Sequence, residues 1–167
     1  MAGFRAISGC VAVIAGGVLL SACNAAAPAG PTRVAVGGLD CPDMQIRMGG
    51  QVHAVYDRSG TTDPSRVRYQ ATILQISREC YRTGDMIEVV VHVSGRIVGG
   101  PRATAGTGSA TLQIDVEQAG AITGRREHTV GASLAPPLFA GDYVVNDALA
   151  IPASTVRSSR ILVGLEN

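Results

Sequence analysis

Lysine and tryptophan are absent from this chain of 167 residues, and phenylalanine occurs only twice. Every basic side chain is therefore arginine, and 14 of them face 13 acids, so the chain carries no basic excess. A nucleic-acid binder needs such an excess or a basic stripe. The pairs Arg66/Arg68 and Arg125/Arg126 have acids nearby and read as solvated faces, so no nucleic-acid partner is expected. Without Trp, the Cys-Trp-Cys core of one large group of β-domains is excluded. Chemical signatures are missing too. There is no Gly-x-Ser-x-Gly for a nucleophile elbow and no Cys-x-x-Cys for redox or metal work. The glycine-rich stretch from Gly99-Gly100 to Ala105-Gly106-Thr107-Gly108 lacks the Gly-Lys-Ser/Thr ending of a phosphate loop and reads as a flexible hairpin connection. No cofactor, no metal site and no catalytic residues are expected. No long 3.6-residue periodicity marks a helix in the body of the chain.

What is present begins at the amino terminus. Met1 to Arg5 carry one positive charge, Ile7 to Leu20 form an apolar run without a charged side chain, and small residues Ser21-Ala22 precede Cys23. That order is a secretory signal's. A permanent span needs about 20 apolar residues, and the run from Ala6 to Ala22 is shorter and broken by Gly9, Gly16 and Gly17. Cys10, inside the run, reads as a small hydrophobe that leaves with the signal.

Leu20-Ser21-Ala22-Cys23 resembles the lipobox of bacterial lipoprotein precursors. The resemblance implies that residues 1–22 are cut off, that the Cys23 thiol receives a lipid, and that the new amino terminus is acylated with a fatty chain such as palmitate. Two or more chains give stable anchoring where one gives only marginal binding. The lipid bilayer is then the first partner, and the location is the cell envelope. Asn24 in place of Asp implies export to the outer membrane, facing the periplasm. Residues 23–38 are expected to form the lipidated cysteine and a flexible Ala/Pro/Gly tether, with Pro28 and Pro31 favouring extended backbone.

Residues 39–167 alternate as strands do. Ile87, Val89, Val91, Val93 and Ile97 point one way in Met86 to Val98, while Glu88, His92, Ser94 and Arg96 point the other. Gly95 marks a bend or bulge. Thr111 to Gln118 repeats the pattern, with Leu112, Ile114 and Val116 inward and Thr111, Gln113, Asp115 and Glu117 outward, before a turn at Ala119-Gly120. Further strands are expected at Gln51 to Asp57, Val67 to Ser77, Ile122 to Val130, Asp142 to Leu149 and Arg160 to Leu165. The expectation is an all-β fold, a single antiparallel β-sandwich of about seven or eight strands, immunoglobulin-like in outline, with a small β-barrel as the alternative.

Cys41 and Cys80 remain once Cys23 is assigned to lipid, and an even pair in an exported chain implies a disulfide. His53, His92 and His128 each fall in an expected strand, without the clustered spacing that a metal site favours. Asp40, Asp43, Asp57 and Asp63 match no calcium loop and read as solvated acids. The segment Leu134 to Phe139 is the apolar loop to watch as a contact patch, its blander reading being a loop folded onto the core. These features point to a membrane-anchored envelope lipoprotein acting as a non-catalytic structural or protein-interaction module, with an envelope protein as its partner. A periplasmic ligand-binding module and an envelope hydrolase with a site invisible in sequence are the alternatives.

Overall fold

Alternating Val, Ile and Leu along five long stretches dictates two sheets that bury one face each, and the computed structural model of the chain has that form. It describes residues 33–166. The signal segment, Cys23 and most of the tether lie outside the described residues. Nine strands follow in order: β1 (Val34–Val36), β2 (Asp43–Ile46), β3 (Val52–Tyr56), β4 (Val67–Thr83), β5 (Met86–Gly99), β6 (Gly106–Gln118), β7 (Ala121–Leu134), β8 (Ala140–Pro152) and β9 (Ser159–Leu165). The only helical pieces among the described residues are single 3₁₀ turns at Gly38–Asp40, Pro64–Arg66 and Val156–Ser158.

One sheet runs β1-β4-β5-β8, with β3 also on β4, and the other runs β2-β9-β6-β7. The two remain separate layers, so the sandwich is observed and not the barrel. Its pairing is antiparallel except for β2 against β9, which is parallel, a departure from the all-antiparallel expectation. Val34–Val36, inside the stretch expected to be tether, is drawn into the first sheet opposite Arg82 to Cys80. Short β-branched side chains against an open strand edge explain why that segment pairs.

The inward sets of β5 and β6 are buried as their alternation requires, with Ile87, Val89, Val91, Ile97, Leu112 and Ile114 all fully excluded from solvent. Each such side chain contributes roughly 1.5–3 kcal/mol. The bulge expected near Gly95 sits across from it. Ile73 pairs with Gly95 and Gln75 with Ser94, leaving Leu74 of β4 as the extra residue. Gly95 itself makes room for a ring, because an added Cβ would lie 2.2 Å from Tyr143 Cζ. The second half of the glycine-rich stretch is strand rather than loop: Gly106 opens β6, and Gly108 is buried where a Cβ would meet Ile97 at 2.9 Å and Leu134 at 3.0 Å.

Candidate functional site

Cys41 follows the first 3₁₀ turn and leads into β2 of the second sheet, while Cys80 lies in β4 of the first. Their sulfurs form a disulfide, with Cα atoms 5.7 Å apart, so the bond ties one sheet to the other. Beside it lies an open groove of about 620 Å³, walled by Val36, Gly37 and Gly38 on one side and by Ser77 and Arg78 on the other. The groove exists because β4 is longer than its outer partners. Its outer edge pairs with β3 as far as Thr72, and with β1 from Cys80 onward.

Charged groups frame this end. Arg33 stacks on the Tyr81 ring at 3.8 Å and pairs with Glu88 at 3.2 Å, fixing the start of β1. Tyr81 donates its hydroxyl to Glu79 at 2.6 Å, and that hydrogen bond pushes the phenol above its ordinary pKa. Arg78 is less committed. Its nearest carboxylate is Asp43 at 3.8 Å, and its Nε is buried without a hydrogen-bond partner. A buried donor left unpaired costs about 1–3 kcal/mol.

A second polar cluster covers the outer face of the other sheet. Asp115 and Gln113 alternate outward on β6 as expected, yet they are 1% and 2% exposed. Long neighbours exclude water from them. Arg47 donates to Asp115 at 2.5 Å and to Gln113 at 3.0 Å, and Arg125 donates to Asp115 through Nε at 2.8 Å. That carboxylate raises the Arg125 pKa. Gln113 in turn donates to Glu127 at 3.3 Å and to Glu166. The cluster is a closed set of charge-assisted hydrogen bonds. The alternation of β6 places its outward members but not their burial, because Arg47 comes directly after the end of β2, a strand too short to show a pattern.

The histidines do not converge. His92 bonds Asn146 at 2.8 Å on the outer face of the first sheet, and His128 of β7 bonds Asp147 of β8 at 2.8 Å. His53 of β3 pairs with Ala71 of β4, and its Nδ1 is buried without a partner. Among the described residues, no group of three or more His, Cys, Asp or Glu could hold a metal ion. The four acids are scattered. Asp40 pairs with Arg157 at 3.3 Å, Asp57 with Arg66 at 2.9 Å, Asp43 accepts from its neighbour Met44's N–H, and Asp63 caps Ser65, whose N–H lowers the carboxyl pKa. The segment Leu134 to Phe139 is folded down at both ends, with Leu134 buried and Phe139 half-buried against the core, while Leu138 is 79% exposed. No family model, no curated protein and no solved structure matches this chain.

Proposed function

We propose that the protein is a lipoprotein of the bacterial envelope, held to the membrane by acylated Cys23, whose β-sandwich acts by contact with another envelope protein. The observation that carries this reading is the charge-free apolar run closed by Leu20-Ser21-Ala22-Cys23. The disulfide between the two sheets supports it, since such bonds persist in oxidising, exported compartments. Ten residues, 24–33, separate Cys23 from the first strand. Fully extended at ~3.3 Å each, they span about 33 Å, so the face around β1 works close to the bilayer surface.

The anchor is tested in the producing cell. Cys23→Ser is expected to abolish incorporation of labelled palmitate, to leave a larger uncleaved precursor, and to change the partition of the protein between membrane and soluble fractions. An unlabelled wild-type chain, or a variant unchanged in size and partition, overturns the reading.

A further inference from the structure

Residues 74–79 of β4 lie between the two strands that share its outer edge. Among the described residues, no backbone hydrogen bond reaches them on that side. At ~3.3 Å per residue this is about 20 Å of open strand edge. The edge takes partners on both flanks of the gap. β3 ends its ladder at Thr72, followed by the Ile73 N–H to Gln51 O bond of 2.9 Å, and β1 resumes at Cys80. Pairing stops between them because the chain turns away at Gly37-Gly38 and crosses to the other sheet.

We propose that this gap is a strand-addition site for an extended segment of a partner protein, and that an Asp or Glu of that segment binds Arg78. Main-chain bonds supply affinity in such complexes, and pockets for alternate side chains supply specificity. The groove beside the disulfide meets this edge at Ser77, Arg78 and Glu79. Charge selects the occupant: Glu79 is engaged by Tyr81, whereas Arg78 lines the groove with its side chain 30% exposed and only a 3.8 Å contact from Nη2 to Asp43. An arriving carboxylate would give that guanidinium the short charge-assisted bond it lacks. The tether of this chain is a poorer occupant, since Pro28 and Pro31 remove ladder donors. A second copy would bring another Arg78 to the same edge.

The inference rests on the protein-contact reading above and is tested apart from it. A photo-reactive phenylalanine analogue replaces Ser77 in the full-length chain in its native membrane. The same replacement at Thr129 and at Val144 samples the other sheet's face and the far edge. The expected result is an adduct from position 77 whose partner peptide, mapped by mass spectrometry, is a segment with an acid within two residues of the crosslink. Arg78→Gln should reduce that adduct about ten-fold, the loss of one charge-assisted bond, while Arg78→Lys keeps most of it. Adducts only from the other two positions overturn the site and leave the contact reading standing. Crosslinks at position 77 to residues 24–32, to a second copy, or insensitive to Arg78→Gln also overturn it. No protein adduct from any position overturns both.

Discussion

Gly95 has no side chain because Tyr143 fills the space one would take. An added Cβ would also stand 2.3 Å from the Thr72 carbonyl oxygen, a backbone atom that cannot swing aside. Gly95→Ala is therefore expected to cost at least about 2 kcal/mol, as overpacked cores do, read as a lower denaturant midpoint in equilibrium unfolding. Tyr143 carries a pH prediction of its own. Its hydroxyl donates to Thr72 O at 3.1 Å, and burial pushes the phenol from 10.0 up to about 12. The folded state thus favours the neutral phenol. This stabilisation is complete below pH 10.0, declines as the unfolded chain ionises above it, and is gone once pH rises through about 12. Tyr143→Phe lacks the hydroxyl bond, worth about 1 kcal/mol at neutral pH. Its midpoint should fall less steeply than wild type's between those two pH values, and parallel curves would refute the assignment.

At the scale of strands, Asp115 shows how one irregular residue builds a site. The two-residue turn at Ala119-Gly120 pairs Gln118 with Ala121 and Glu117 with Ile122, a register that would set Asp115 against Gly124. Thr123 instead slips out as an extra residue, its hydroxyl bonding Val116 O at 3.2 Å, and Arg125 moves opposite Asp115. Asp115→Ala is expected to cost about 2 kcal/mol, since it strands Arg47 and Arg125 without their acceptor. A loss below about 0.5 kcal/mol in urea unfolding would mark an ordinary surface pair. The turn, the strands around it and the inward sets of β5 and β6 were legible, because period-two alternation is a direct record of which face meets the core. Gly95 marked the neighbourhood of the bulge at Leu74, but the bulge at Thr123 was not legible, because it depends on a partner strand and leaves only a one-residue slip. β1 and β2, three and four residues long, are too short to show a period, so the open edge of β4 between its partners could not be foreseen either.

Across the whole domain, the sheets are joined on both flanks. On one, the disulfide links the approach to β2 with β4; on the other, His128 of β7 meets Asp147 of β8. The covalent flank carries the larger effect. Cys41 and Cys80 are 39 residues apart in sequence, and closing a loop of that size removes chain entropy worth about 4 kcal/mol from the unfolded state. The double variant Cys41→Ala/Cys80→Ala is expected to lose about that much stability in equilibrium unfolding of the domain. The m-value separates two accounts of the loss. If the bond acts on the unfolded chain, its removal lets that chain expand and expose more surface, so m rises as the midpoint falls. A fall in midpoint with m unchanged would instead assign the contribution to contacts across the β2/β4 flank of the folded sandwich, and the open edge beside that flank would then loosen when the bond is reduced.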